Sequence, residues 1–294
     1  MSKPDMNKSG MNIALNAQQL AGTHSLPEIL DVFESYGVKA LELWPANLTG
    51  SSQTPEEHER YETKDVDSVS TLIRERGFRV ACVTLGFHAA PLCIASGGTR
   101  NLTRALQGAV DAAVKLECQL VNCYTAHINF SLFLEAVRPA ADYAASRGVV
   151  ITLENEAHDE SGLPEDVARL VETVNSPGFR TQYDPCNYYH AYVEPFPHAY
   201  EVIREHIGYV HFKGGCHYVE REGVYKGSLM RHSRGDFIGY VPLSESAFPV
   251  EGIVRRLNAD GYKGWVTLEP HVPPAALAEF HKRDLAYLQS LLES

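Results

Sequence analysis

Short apolar or β-branched runs recur along the chain and alternate with longer amphipathic stretches. Most of the short runs lack strict alternation of polar and apolar residues, which is typical of strands buried on both faces of a parallel sheet. Eight such runs predict strands, at residues 12–15, 40–43, 79–85, 120–124, 149–153, 181–183, 209–212 and 265–268.

The amphipathic stretches carry helix start and stop signals. Ser25 is a candidate N-cap before Pro27 and Glu28, and Gly37 is a candidate stop. Two further stretches end in a basic residue followed by glycine. These patterns predict helices near residues 26–36, 65–76, 99–116, 131–147, 164–174, 198–206, 250–260 and 274–292. Pro139 lies inside one of them and predicts a kink or a local break.

Eight strands alternating with eight helices predict an α/β protein with a single (β/α)8 TIM barrel. We expect the barrel to span residues 11–294, after a flexible N-terminal segment at 1–10. An open, doubly wound sheet is less favoured, because no G-x-G-x-x-G motif follows the first strand. Two connections are long, at 44–64 and at about 214–248, and the second is an insertion loop with many aromatic and charged residues. Long βα loops lie over the carboxyl ends of barrel strands, where such folds place their chemistry.

Composition and charge limit which partners and which cellular compartment we expect for this protein. The 294 residues include 26 Lys and Arg and 37 Asp and Glu, so the formal net charge is −11. That charge argues against binding to nucleic acid, which needs clustered basic residues. The polar start and the lack of a long apolar run predict neither a secretory signal nor a membrane-spanning helix. The six cysteines form no C-x-x-C pair and are expected to be reduced thiols, so we expect a cytoplasmic protein without membrane contact.

Polar side chains follow four of the predicted strands at the point where each strand ends. They are Glu154, Asp184, His211 and Glu269. Because the carboxyl ends of barrel strands meet at one rim, these side chains should converge. Three close carboxylates repel one another and are costly to bury, and a divalent cation would remove that cost. Three oxygen donors and one imidazole suit Mn²⁺ or Mg²⁺, with Co²⁺, Fe²⁺ and Zn²⁺ as alternatives.

The sequence around these four residues resembles a known family. The motifs LEN, DPCN, VHFK and GWVTLEPH, which contain them in turn, resemble the xylose isomerase-like barrel family, and the resemblance covers essentially the whole chain. That family includes ketose 3-epimerases, hydroxypyruvate isomerases, inosose dehydratases and the endonuclease IV group. The resemblance implies that the four residues bind a divalent metal, commonly Mn²⁺. It also implies that Glu154 and Glu269 are the catalytic residues, which flank the substrate and exchange its proton.

Two positions differ from the family pattern. Many members have His three residues after the aspartate ligand and Asp directly after the lysine, whereas this chain has Asn187 and Gly214 there. Groups around a metal site and its loops select the substrate, so these changes bear on specificity. We expect Asn187 and Lys213 to bind substrate, the latter because it shares a strand face with the histidine ligand. Glu42 and His88 end the second and third predicted strands and are further candidates for substrate binding.

These features favour a divalent-metal-dependent sugar isomerase or epimerase that acts on a ketose or a related polyhydroxy carbonyl compound through an enediolate. The alternative is a metal-dependent dehydratase or lyase on a keto-inositol or keto-glycoside, because the same enediolate can expel a leaving group. A non-catalytic sugar-binding subunit and an abasic-site endonuclease are less favoured. The expected partner is a sugar or polyol-derived small molecule, and both a homo-oligomer and a complex with another subunit stay open.

Overall fold

Eight parallel strands close into a barrel. The computed structural model describes residues 10–218, 228–231 and 237–293, so the predicted flexible segment at 1–10 lies, apart from Gly10, outside the described residues. The barrel strands are β1 Asn12–Asn16, β2 Ala40–Leu43, β3 Arg79–Thr84, β4 Leu120–Cys123, β5 Val150–Glu154, β6 Phe179–Tyr183, β7 Ile207–Phe212 and β11 Trp265–Leu268. They follow this order around the barrel, and β11 pairs with β1 to close it. The predicted (β/α)8 barrel is confirmed, and the open sheet is excluded.

Helices connect successive strands. Their bounds are α1 Leu26–Ser35, α2 Pro55–His58, α3 Val66–Glu75, α4 Ala89–Gly97, α5 Thr99–Lys115, α6 Phe130–Ser146, α7 Pro164–Val174, α8 Pro185–His190, α9 Tyr200–Ile203, α10 Val250–Ala259 and α11 Pro274–Glu293. The predicted cap of α1 forms, since the Ser25 backbone N–H donates to the Glu28 Oε2 at 2.7 Å. Gly37 follows α1 with φ of 77°, a left-handed conformation that glycine adopts without strain.

Three parts of the helical prediction differ from the structure. α6 is continuous through Pro139, so of the predicted kink or local break the break does not occur. Pro139 lies on the exposed side of the helix, where water can satisfy the carbonyl that proline leaves unpaired. The predicted helix at 198–206 is divided into a turn at 195–199, α9 and a 3₁₀ turn at 204–206. The short helices α2, α4 and α8 are absent from the prediction; α4 (AAPLCIASG) is apolar on most sides and therefore lacks the one-sided pattern of a surface helix.

The insertion after β7 contains a small antiparallel sheet. Its strands are β8 Gly214–Tyr218, β9 Ser228–Arg231 and β10 Phe237–Val241, in the order β8-β10-β9. The parts of the predicted loop at 219–227 and 232–236 lie outside the described residues. A side chain at position 214 would clash, because the Cβ would lie 2.1 Å from the carbonyl oxygen of Val241. The close pairing of β8 with β10 therefore requires the glycine that departs from the family pattern.

The residues of β7 show how the barrel separates apolar from polar side chains. Val210 and Phe212 belong to the apolar core that the strands share with the helices. The alternate residues Tyr209 and His211 point into the barrel, where both bond to Glu42. The barrel interior is therefore polar near the carboxyl ends of its strands.

No helix within the described residues is long and apolar enough to cross a bilayer. None of the six cysteines forms a disulfide, and five of them are buried. Burial raises the pKa of both Cys93 and Cys118 to about 12, so these thiols stay protonated and unreactive at neutral pH.

Asp284 of α11 gives the fold a pH-dependent stability. It is buried, one carboxylate oxygen accepts the Leu243 N–H at 2.7 Å, and Oδ2 has no hydrogen-bond partner among the described residues. Burial raises its pKa to about 7, so the folded state binds this proton more tightly than the unfolded chain, and stability is lost as pH rises toward 7. We expect Asp284→Asn to raise the melting temperature by roughly 2–6 °C at pH 8 and by clearly less at pH 5. An equal gain in thermal melts at both pH values would contradict this.

Candidate metal and active site

Four side chains meet at the carboxyl ends of the neighbouring strands β5, β6, β7 and β11. They form the carboxylate–histidine cluster, Glu154, Asp184, His211 and Glu269. One ligand atom from each lies within 4.8 Å of the others, and none of the four residues is more than 4% exposed. The structure thus brings together the whole set that the sequence predicts as metal ligands.

His211 presents one ring nitrogen to the carboxylates of the cluster. Its Nε2 lies 2.5 Å from Glu42 Oε2. Its Nδ1 has no hydrogen-bond partner among the described residues and lies 3.7 Å from Glu154 Oε1 and 3.5 Å from Glu269 Oε2. Although burial disfavours the charged ring, the neighbouring carboxylates raise the pKa of His211 well above its usual value. A buried nitrogen without a partner, facing carboxylates, is the arrangement of a metal ligand whose other nitrogen is held by an acidic residue.

Glu42 lies beneath the cluster and contributes to it through His211. The sequence predicts that it contacts substrate, but its carboxylate is fully buried. It accepts hydrogen bonds from five side chains: Asn16, Trp44, Thr84, Tyr209 and His211. A carboxylate with this many donors has little capacity left for a further hydrogen bond, and among its partners it contacts the His211 imidazole directly.

Lys213 lies inside the cluster. It is 2% exposed, and its Nζ is 2.6 Å from Asp184 Oδ2, 3.0 Å from Glu269 Oε2 and 4.0 Å from Glu154 Oε1. Burial opposes its charge, but these carboxylates raise the pKa of Lys213 well above its usual value. Its ammonium group therefore partly neutralises three buried carboxylates.

Amide donors orient the two glutamates. The Asn122 Nδ2 donates to Glu154 Oε2 at 3.0 Å, and the Asn16 Nδ2 donates to Glu269 Oε1 at 2.8 Å. On its other oxygen Glu269 faces His271 Nε2 at 3.2 Å. Burial raises the pKa of Glu269, but Lys213, His271 and His211 outweigh that effect and hold it well below its usual value. The sequence analysis missed the two asparagines, although Asn16 is the last residue of β1 and Asn122 is the last but one of β4.

Asn187 joins two ligands of the cluster. Its Nδ2 donates to the Asn155 carbonyl at 2.8 Å and to Glu154 Oε1 at 3.3 Å, and its backbone N–H donates to Asp184 Oδ1 at 3.0 Å. It is only 5% exposed. The residue predicted to bind substrate is therefore part of the framework that holds the ligands.

His88 lies apart from the cluster. It is exposed, and its backbone N–H donates to Glu59 Oε2 at 3.1 Å. Its ring packs edge-on against the ring of Phe87, with the two ring centroids 5.0 Å apart. β3 ends at Thr84, so three residues separate His88 from the strand end at which the sequence places it. Within the described residues no hydrogen bond or ion pair joins its side chain to the cluster, and its role in substrate binding stays a prediction.

Aromatic side chains flank the cluster on two sides. On one side Tyr124 packs against Trp44 and Phe87, with ring centroids 5.8 Å and 5.0 Å apart. Burial and the nearby Glu154 carboxylate raise the pKa of Tyr124 well above its usual value. On the other side Tyr240 of β10 packs against His271, and their ring centroids lie 5.0 Å apart. The inserted sheet thus supplies one side of the site.

A family model described as the xylose isomerase-like TIM barrel matches residues 30–291. The chain belongs to this family. The matched range contains the whole carboxylate–histidine cluster and Lys213, so the sequence resemblance to the xylose isomerase-like family is confirmed. A search of curated proteins finds no match to the chain.

Solved structures share this fold at low sequence identity. A xylose isomerase-like TIM barrel protein from Mycobacterium smegmatis, in complex with magnesium, is 16% identical with a TM-score of 0.69, covering 96% of this chain and 97% of that one. The probable 3-DHS dehydratase AsbF from Bacillus anthracis is 15% identical with a TM-score of 0.68, covering 95% and 98%. D-Psicose 3-epimerase from Clostridium cellulolyticum H10, solved with D-tagatose, is 15% identical with a TM-score of 0.66, covering 97% and 100%. At these identities the similarity establishes the fold.

Proposed function

We propose that the protein is a divalent-metal-dependent isomerase or epimerase of a ketose or a related polyhydroxy carbonyl compound. The observation that carries the proposal is the Nδ1 of His211, which has no hydrogen-bond partner within the described residues and lies within 4 Å of the carboxylates of Glu154 and Glu269. A buried site with three carboxylates and one such nitrogen suits a hard or borderline divalent ion. We propose Mn²⁺, with Mg²⁺, Co²⁺, Fe²⁺ and Zn²⁺ as alternatives; one relative of this fold is solved with magnesium.

Glu154, Asp184, His211 and Glu269 would hold this ion. When bound there it would polarise the substrate carbonyl and stabilise the negative charge that develops on oxygen. Glu42 would keep the His211 ring in the orientation and tautomer that leave Nδ1 free to bind. Lys213 would contribute a second positive charge beside the reacting oxygen atoms.

Glu154 and Glu269 are the proposed proton-transfer residues. They extend from β5 and β11, which are separated by two strands, so their carboxylates approach the centre of the cluster from different sides. One carboxylate would take the proton from the carbon next to the carbonyl, and the C–H electrons would form the enediolate. The other carboxylic acid would return a proton to the opposite face of that carbon, which inverts its configuration.

The closed environment of the cluster supports proton transfer between the substrate carbon and the two glutamates. All four residues of the cluster and Lys213 are at most 4% exposed. Tyr240 of the inserted sheet is 5% exposed and lies near enough to Lys213 for that positive charge to act on the pKa of Tyr240. Exclusion of water strengthens the electrostatic interactions inside the site and protects a reactive enediolate. Trp44 and Tyr124 offer apolar faces of the kind on which sugar rings pack.

The second candidate is a metal-dependent dehydratase or lyase, including one that acts on a keto-inositol or keto-glycoside. It is supported by the fold shared with the probable 3-DHS dehydratase AsbF over 95% of this chain. The first proton transfer would be the same, but the enediolate electrons would then expel a β-hydroxyl or an alkoxide. That leaving group would take a proton and depart as water or an alcohol.

A panel of ketoses and keto-cyclitols incubated with Mn²⁺-loaded protein in D₂O tests both candidates. Deuterium next to the carbonyl together with a stereoisomeric or isomeric product would support isomerisation or epimerisation. An unsaturated product would support elimination. Protein that neither incorporates deuterium nor forms product with any member of the panel would count against both and favour a sugar-binding role.

Glu42→Gln is expected to weaken Mn²⁺ binding about 10–100-fold, because an amide accepts poorly from the Nε2–H of His211 and releases the ring from its orientation. The Kd can be measured by competition with a metal-sensitive dye. Glu75→Gln, an exposed position on α3, is the matched control and should leave the Kd unchanged. If both variants bind Mn²⁺ with the same Kd, Glu42 does not contribute to metal binding.

Lys213→Met is expected to lower the melting temperature of metal-free protein by roughly 5–15 °C, because it leaves three buried carboxylates without their cation. Adding Mn²⁺ should restore more stability to this variant than to the wild type. Thermal melts with and without chelator provide the measurement. If the variant and the wild type lose the same stability on chelation, Lys213 does not neutralise the cluster.

A further inference from the structure

A cavity of about 700 Å³ lies at the opposite end of the barrel from the carboxylate–histidine cluster. Its lining includes Arg79 and Trp265, the first residues of β3 and β11, so it lies where these strands begin. An adjoining cavity of about 690 Å³ shares both residues. Such volumes are in the range of small-molecule sites, about 300–1,000 Å³. The proposed reaction uses neither cavity.

Small residues leave space at this end of the barrel. Ala14, Ala40 and Ala81 form a cluster of their own, on which Trp265 packs. Gly208 on β7 also lines the larger cavity, and a Cβ there would lie 2.8 Å from the Cβ of Arg180. Larger side chains at these positions would reduce the room at the bottom of the barrel.

Arg79 is held in place without an acidic partner. Its Cζ lies 4.7 Å from the centroid of the Trp265 ring, and it forms no ion pair with any carboxylate in the described part of the chain. By contrast, Arg76 bonds to both Asp31 and Glu34, at 2.5 Å and 3.1 Å. A guanidinium group stacked on an indole keeps its N–H donors available at the edge, in a geometry that matches two oxygens of a carboxylate or phosphate.

Two more cations border the same cavity. Arg74 and Lys263 are exposed, line the cavity with Arg79, and have no ion pair within the described ranges. Among the residues that the structure describes, Glu117 is the one carboxylate that lines this cavity. The protein as a whole carries 37 acidic and 26 basic residues. The lining of this cavity therefore has a net positive charge, although the net charge of the protein is negative.

We propose that this cavity binds a small-molecule oxyanion, a metabolite that carries phosphate or carboxylate groups. The guanidinium of Arg79 would bind two oxygens of one anionic group, and Lys263 and Arg74 would add charge from the rim. The site is independent of the proposed reaction, because it lies at the other end of the strands. A ligand there would stabilise the barrel without competing with substrate.

Isothermal titration calorimetry with inorganic phosphate, citrate and neutral glycerol tests the proposal. Metal-free protein is used so that anions cannot bind to an ion in the cluster. We expect saturable binding of phosphate or citrate, no binding of glycerol, and affinity that falls as salt is added. Phosphate binding alone would indicate a phosphorylated ligand, and citrate binding alone a polycarboxylate.

Variants locate the binding. The Arg79→Gln/Lys263→Gln variant should bind the anion at least about tenfold more weakly, whereas Arg100→Gln, an exposed arginine at the start of α5 outside the lining, should bind like the wild type. If the double variant unfolds, Lys263→Gln alone should weaken binding to a smaller extent. Absence of saturable binding to the wild type, or equal affinity in the cavity variant and the control, would overturn the proposal.

Discussion

Replacing Glu154 or Glu269 by glutamine is expected to lower kcat by about 10²–10⁴-fold, the usual contribution of a positioned acid–base group. Glutamine keeps the length of the side chain and one oxygen, but it cannot accept a proton from carbon. Asn122 and Asn16, which donate to the two glutamates at 3.0 Å and 2.8 Å, would help to hold each replacement in position. The measurement is kcat at saturating Mn²⁺ on the substrate that the panel identifies.

Isotope exchange separates loss of proton transfer from loss of structure. Each variant keeps one of the two bases, so each should still exchange the substrate proton with D₂O from one epimer but not from the other. The two variants should prefer opposite epimers, and neither should form product at the wild-type rate. Glu75→Gln on the exposed side of α3 controls for the introduction of an amide. Turnover near the wild-type rate in either cluster variant would exclude that residue as an acid–base group.

The barrel could be predicted because its signals are local. Trp265–Leu268 and Ala40–Leu43 are predicted with their observed bounds, and the stop signals at Gly37, Gly77 and Gly148 coincide with left-handed backbone at all three. A parallel strand needs only a buried apolar run, and a surface helix needs only one apolar face, so both are visible in a short window of sequence. The count of alternating elements then limits the fold to very few arrangements.

The inserted sheet could not be predicted in the same way. β8 begins one residue after Lys213 and contains two glycines, which are unfavourable in strands. Gly214 is required by the approach of the Val241 carbonyl, and Gly215 by Cys186, whose Sγ would lie 2.4 Å from a Cβ. These reasons arise from tertiary contacts, so the sequence shows only a long connection.

The metal ligands and Glu42 illustrate the same distinction within the site. Glu154, Asp184 and Glu269 converge because each stands at the carboxyl end of a barrel strand, which sequence position alone predicts. Glu42 also ends a strand, yet its partner His211 is 169 positions away, and their contact exists only once the barrel closes. Strand position predicts which end of the barrel a residue occupies, but not its depth. That is why Glu42 is buried under the cluster, whereas His88 is exposed beyond it.

Removal of divalent ions by a chelator is expected to lower turnover by at least about 10³-fold, because the side chains of the site polarise a carbonyl less strongly than a bound divalent ion does. The protein is expected to stay folded after this treatment. Lys213 already lies 2.6 Å from Asp184 Oδ2 and 3.0 Å from Glu269 Oε2, so two of the three carboxylates keep a positive partner in the absence of an ion. Adding Mn²⁺ at 100 times its Kd should restore activity and raise the free energy of unfolding by about 2.7 kcal/mol. Activity assays and thermal melts on the same samples measure both effects. Full activity after exhaustive chelation would contradict metal dependence, and unfolding after chelation would contradict the neutralising role of Lys213.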